Sequence, residues 1–235
     1  MLKIATGIAL FMVVGGLLTH RLGLLPFNVA FYGFGFGLLN CSLLALISSA
    51  MVFRRLARKE ALVRPLIITV LTVAPVLTVL MTVGVAGFRA PAIHDISTDV
   101  YDPPQFIYAQ AQRKPGENSL IYGGKELASL QTEGYPDIKT IYLPETNQEQ
   151  GMIAVKTVVD ALGWQVLGED SERGHIEAVE TTPLMGFADD IAIRVRPLKD
   201  AVLIDLRSVS RVGLSDLGAN AKRIERFVKE LKVRY

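Results

Sequence analysis

Three uninterrupted apolar runs, Ile4 to Thr19, Phe27 to Phe53 and Leu66 to Gly87, fill most of the first 90 residues. Beyond them, apolar positions fall into short alternating or helix-spaced groups. The second and third runs exceed the roughly 20 residues that a bilayer core requires, and the first is short but usable. Each predicts a transmembrane helix, over about 4–19, 27–53 and 66–87, so residues 1–90 form a membrane anchor. No run carries a charge near its centre, which argues against a proton relay or ion pathway. Pro75 is expected to kink the third helix.

Residues 91–138 are punctuated by Asp102-Pro103-Pro104, Lys114-Pro115-Gly116, Gly123-Gly124 and Tyr135-Pro136-Asp137. The same stretch holds Phe106, Ile107, Tyr108, Leu120, Tyr122, Leu127 and Leu130, too apolar a set for a free linker. It is expected to wrap on the domain, with one short helix near Lys125 to Thr132. Residues 139–235 then read as a strand at Lys139 to Leu143 and an amphipathic helix at Gln148 to Leu162 stopped by Gly163. That helix should turn Ile153, Val155, Val158, Val159 and Leu162 inward. Strands at Trp164 to Leu167 and Gly174 to Thr182, a hairpin from Asp189, and a last helix follow. The order β-α-β-β-β-β-α predicts an α+β fold, an antiparallel sheet with its helices on one face. It matches the TATA-binding-protein-like topology, with a helix-grip barrel as the alternative. Shared topology carries no implication of nucleic-acid binding.

The hairpin and last helix hold most of the pattern. Ile191, Ile193 and Val195 alternate with Asp190, Ala192, Arg194 and Arg196; after Pro197-Leu198-Lys199-Asp200, Val202, Ile204 and Leu206 alternate with Leu203, Asp205 and Arg207. Period two means half-buried strands. Joining the apolar faces predicts Val195 opposite Val202, Ile193 opposite Ile204 and Ile191 opposite Leu206. That register sets Asp190 opposite Arg207 and Arg194 diagonal to Asp205, a charged ladder on an open face. Leu217, Ala221, Ile224, Val228 and Leu231, widened by Phe227, give the last helix its buried stripe. Ser215 or Asp216 is its expected N-cap, and Gly218 suggests a close backbone approach.

Charge divides the chain. Residues 1–91 hold eight basic side chains and one acidic, a net +7, and the remainder is net −5. Arg54, Arg55, Arg58, Lys59 and Arg64 crowd the second connection, which places that loop in the cytoplasm. The N-terminus is then cytoplasmic and everything after Ala90 lies across the membrane, in the periplasm for a bacterial inner membrane. His20-Arg21-Leu22 supplies no small-x-small signal-peptidase site. Cys41, the only cysteine, lies in an apolar run, so disulfides are not part of the design. Gly33 and Gly37 give the second helix a small-residue face for another helix of this chain or of a second copy.

Chemical motifs are few. Gly213-Leu-Ser215-Asp-Leu-Gly218 is not G-x-S-x-G. His94, Asp95 and Asp99 could begin a metal site, but polar residues capping a turn explain them better. No metal or other cofactor is implied. The constellation that stands out is Asp189, Asp190, Arg194, Arg207, Ser208, Ser210, Arg211, Asp216, Asn220 and Arg223. Arginines and hydroxyls around a helix N-terminus could receive a carboxylate or phosphate. Because the aspartates nearly balance the arginines, a salt-bridge lattice locking hairpin to helix is the favoured reading. The acidic balance of this half and its lack of a basic stripe argue against nucleic acid.

Ile93-His-Asp-Ile-Ser-Thr-Asp99, Pro103-Pro104-x-Phe106, Tyr135-Pro-Asp-Ile138, Gly186-Phe-x-Asp-Asp-Ile191 and Arg207-Ser-x-Ser-Arg-Val-Gly-x-Ser-Asp-Leu-Gly-x-Asn220 resemble the bacterial family catalogued as domain of unknown function 1499. The resemblance spans roughly residues 92 to 232 and implies an envelope protein of unassigned activity. The expectation is an inner-membrane-anchored periplasmic binding or assembly module, not catalytic, docking an envelope protein or an anionic ligand. The alternatives are a carrier of a lipid or small anionic ligand, or a hydrolase or transferase using Asp189 or Asp190. Catalysis would need a carboxylate of raised pKa, whereas arginine neighbours lower it.

Overall fold

The computed structural model describes residues 1–235. It divides into two compact units, Met1–Val85 with Pro183–Gly186, and Ala86–Thr182 with Phe187–Tyr235.

The first unit holds α1 (Leu2–Arg21), α2 (Phe27–Ala57) and all but the last three residues of α3 (Val63–Phe88), helices long and apolar enough to cross a membrane. Few of their side chains are buried in protein, as lipid-facing surface requires: 22%, 22% and 11% of the three apolar windows. Glycine lets α1 and α2 approach closely. A Cβ on Gly37 would lie 2.7 Å from the Val13 amide, and one on Gly16 2.6 Å from the Ala30 carbonyl, whereas Gly33 faces open space. Pro75 stays within regular helix; the kink expected there falls at Gly84, whose φ of 72° a side chain would disfavour.

The second unit is α+β. A six-stranded antiparallel sheet is ordered β1-β6-β5-β4-β3, with β2 also on β6. Its strands are β1 (Asp95–Ser97), β2 (Ile141–Pro144), β3 (Gln165–Asp170), β4 (His175–Thr181), β5 (Ala188–Pro197) and β6 (Ala201–Ser210). The helices are α4 (Gly124–Gly134), α5 (Gln148–Ala161) and α6 (Ala219–Arg234), with a 3-10 turn at Ala109–Gln112. From β2 to α6 the order is the predicted β-α-β-β-β-β-α; β1 is an addition, too short to show a period.

The core lies where α5 and α6 cover one sheet face. Val155, Val158 and Val159 from α5 and Ile224, Phe227 and Leu231 from α6 meet Ile176, Ile191, Ile193, Ile204 and Leu206. Trp164 stacks on Phe227 at 5.8 Å between ring centroids. Ile153 is 56% exposed rather than inward; Met152 and Ala154 are buried instead. Gly151 explains the rotation, since its missing side chain brings α5 onto Val195 and Val202. A capping box between Asn147 and Gln150 starts α5. Asp216 accepts the Gly218 and Asn220 amides to start α6, and Gly218 turns the chain at φ 79°.

The hairpin register differs from the predicted one by two residues. Val195 faces Ile204, Ile193 faces Leu206 and Ile191 faces Ser208. The ladder runs on through Pro197 to Val202 and closes when the Leu198 amide donates to Ala201, leaving only Lys199-Asp200 as the loop. An even shift keeps every side chain on its predicted face but changes its partner. Arg194 stands directly opposite Asp205, and Asp190 opposite Val209 rather than Arg207.

Candidate functional site

The face of the sheet away from α5 and α6 is charged, but it is not open. Glu177, Asp190, Asp205 and Arg207 are all 0% exposed. Residues 98–122 lie across them, because this segment's unpaired amides and carbonyls need partners and the sheet's charges supply them.

Arg207 is the centre of that arrangement. Its guanidinium grips Asp95 of β1 by two hydrogen bonds of 3.0 and 2.8 Å and donates to the Pro104 and Leu120 carbonyls. The Phe106 and Tyr122 ring centroids lie 5.1 and 5.2 Å from it. Burial pushes the Tyr122 hydroxyl up to about 12, and the Asp95 charge adds to the effect. Glu177 anchors the same segment from β4. Its carboxylate accepts the Ile107, Tyr108 and Ala109 amides and lies 2.8 Å from His175 Nε2. Burial acts to raise the Glu177 carboxyl, but the bonds from His175 and these amides outweigh it and hold it below the usual range.

Further along the face, Arg194 reaches Asp99, Asp102 and Asp205, and Arg196 reaches Asp99 and Asp205. Thr140 donates to Asp205 at 2.6 Å. Asp190 takes a forked contact from Arg211 and stands 2.8 Å from Arg113 Nε, close enough to pair but misaligned for a hydrogen bond.

The remaining candidates belong to a second network on the opposite face, at the start of α6. Arg223 contacts Asp189, Glu180, Ser208 and Asn220. Asn220 receives the Ser208 hydroxyl and donates to Ser210 and to the His94 carbonyl. Burial pushes the Asp216 carboxyl up, although the amides it caps pull it down.

The single constellation read from the sequence is therefore two. Asp190, Arg194, Arg207 and Arg211 hold the covering segment, whereas Asp189, Ser208, Ser210, Asp216, Asn220 and Arg223 hold α6. The exposed charge ladder is corrected to a buried lattice, because residues 98–122 cover it. Sequence reasoning missed Glu177, whose place on the face of Arg194 and Arg207 was readable from the alternation of β4. It also missed the roles of Asp95, Asp99 and Asp102, which cannot be read before the covering segment is placed. His94, Asp95 and Asp99 do not converge: the first approaches the Leu214 carbonyl and the others pair with arginines.

An open concavity lies elsewhere. A groove of 690 Å³ runs between β2 and α6, lined by Ile138, Ile141, Tyr142 and Val228 with Lys139, Lys229 and Lys232. Its wall β2 pairs on one side only, with β6. Asp189 and Asp190 are 2% and 0% exposed and do not line this groove.

A family model described as a protein of unknown function, DUF1499, matches residues 95–231, and the chain belongs to that family. The matched region begins at Asp95, the partner of Arg207, and ends at Leu231 in α6, so it takes in both networks. A search among curated proteins finds no match.

Proposed function

We propose that this member of the DUF1499 family is a bacterial inner-membrane protein with a cytoplasmic N-terminus. In this reading it holds its α+β domain in the periplasm as a non-catalytic binding module. The supporting observation is the contrast between the two kinds of surface. The carboxylates and arginines that chemistry would use are buried against each other, while the groove between β2 and α6 stands open with a lysine rim. A free strand edge offers main-chain donors and acceptors, and apolar side chains beside it receive alternate residues of an added strand. Lys139, Lys229 and Lys232 outnumber Asp137 and Glu225 along the groove. Its occupant is then an extended, acidic segment of an envelope protein.

The test places a photo-crosslinking residue at Tyr142, which is 60% exposed, in the full chain in its native membrane. The expected adduct is an acidic peptide, formed at least tenfold less in a Lys229→Glu/Lys232→Glu variant that still folds, as shown by unchanged Trp164 emission. A lipid adduct would replace the protein partner with a lipid ligand. An adduct insensitive to the lysines would overturn the groove as the site.

A further inference from the structure

We infer that the loop of residues 213–218 is a membrane-contacting element that places Leu214 and Leu217 in the headgroup layer of the leaflet where α3 ends. The inference rests on α3 being a bilayer span. The regular part of α3, residues 63–83 before the break at Gly84, covers about 30 Å at 1.5 Å per residue, the thickness of a hydrocarbon core. Residues 86–90 then lie in the interfacial layer just beyond it. These residues belong to the same compact unit as the loop. A Cβ on Gly218 would lie 3.7 Å from the Ala90 side chain and 4.0 Å from Gly87 Cα, so the end of the loop touches the chain at that level.

The loop is held rather than loose. The Asp216 amide donates to Ile93, Asn118 donates to the Gly213 carbonyl, and His94 approaches the Leu214 carbonyl. This framework presents Leu214 at 85% exposure and Leu217 at 40%. A lone exposed leucine needs no explanation. Here two occur in one braced turn beside a membrane exit, and Leu217 is fixed at φ 52°, a conformation that residues with side chains seldom adopt. Arg89, also exposed, lies at the same level and suits anionic headgroups. A lipid surface is the occupant that fits apolar tips tethered at this depth.

The experiment uses the full chain in a Cys41→Ser background, reconstituted in vesicles of phosphatidylethanolamine and phosphatidylglycerol. Single spin labels are placed at Leu214→Cys, Leu217→Cys, Val70→Cys and Lys199→Cys. Val70 lies within α3 and is 65% exposed; Lys199 is in the turn at the far end of β6 from the loop. Collision with oxygen against a water-soluble nickel chelate reads depth. Labels at 214 and 217 are expected to favour oxygen several-fold over the label at 199, and less strongly than the label at 70. A label at 70 in lipid with those at 214 and 217 as aqueous as 199 overturns the loop contact. A label at 70 that is itself aqueous overturns the span on which the inference rests.

Discussion

Arg207 is a fully buried cation that donates to Asp95, Pro104 and Leu120 and lies against the Phe106 and Tyr122 rings, so its removal acts on more than one contact. Arg207→Met leaves the Asp95 carboxylate buried without a counter-charge and frees the Pro104 and Leu120 carbonyls. Breaking such a pair from one side typically costs about 3–5 kcal/mol. The same loss is expected here in denaturant unfolding followed by the emission of Trp164, the only tryptophan. Adding Asp95→Leu to Arg207→Met should recover a large part of it, because the orphaned charge disappears. Glu177 gives a pH-dependent counterpart. Its carboxyl is depressed in the folded state, so its contribution is complete above the unfolded glutamate value, about 4.3, and fades as pH falls through the lower folded value. The stability gap between wild type and Glu177→Gln should therefore be widest at neutral pH and narrow below about pH 4. The types of these residues were legible in the sequence, but their pairing was not. Alternation assigns a side chain to a face and says nothing about whether a distant segment covers it. Arg207 and Asp95 are separated by more than a hundred residues, and only the placement of β1 on β6 brings them together.

At the scale of elements, the sequence yielded what depends on local periodicity and lost what depends on turns and crossings. The five strands from β2 onward, α5, α6 and the three apolar helices were all readable from their spacing. The hairpin register was not, because the apolar stripes of β5 and β6 can be aligned in steps of two without exposing any of them. Only the tight Lys199-Asp200 loop distinguishes the alternatives. Likewise Pro75 suggested a kink that the helix places at Gly84, where a missing Cβ costs less than a missing hydrogen bond. The covering segment depends on one further glycine. At the irregularity between Val166 and Gly168 of β3, the Tyr108 ring lies against Gly168, and a Cβ there would overlap it. Gly168→Ala is expected to displace Tyr108 and destabilise the domain by about 1–3 kcal/mol, the usual scale for overpacking. Hydrogen exchange should show the effect first at the Ile107, Tyr108 and Ala109 amides, because these are the bonds to Glu177 that Tyr108 lies among. Uniform loss of protection across the sheet would mean that the segment and the sheet open as one unit.

For the whole molecule, the consequential proposal is orientation. It follows from charge rather than packing. Arg54, Arg55, Arg58, Lys59 and Arg64 stand between α2 and α3 with a single acidic residue, Glu60, whereas Arg21 alone represents the α1–α2 connection among basic lysine and arginine side chains. Lysine and arginine within short loops are retained on the cytoplasmic side, and acidic residues contribute little to the bias. Three spans then deliver the domain to the opposite face. The check is thiol labelling in spheroplasts of the Cys41→Ser chain carrying either Lys59→Cys or Glu172→Cys, positions in the basic loop and in the β3–β4 turn. A membrane-impermeant maleimide should modify the cysteine at 172 in intact spheroplasts and the one at 59 only after lysis. Neutralising Arg54, Arg55, Arg58 and Arg64 together should give a mixed population, since no other connection holds a comparable positive charge. The reverse labelling pattern in the unneutralised chain would put the domain in the cytoplasm. The groove between β2 and α6 would then face cytoplasmic partners, and the envelope role would fall with the orientation.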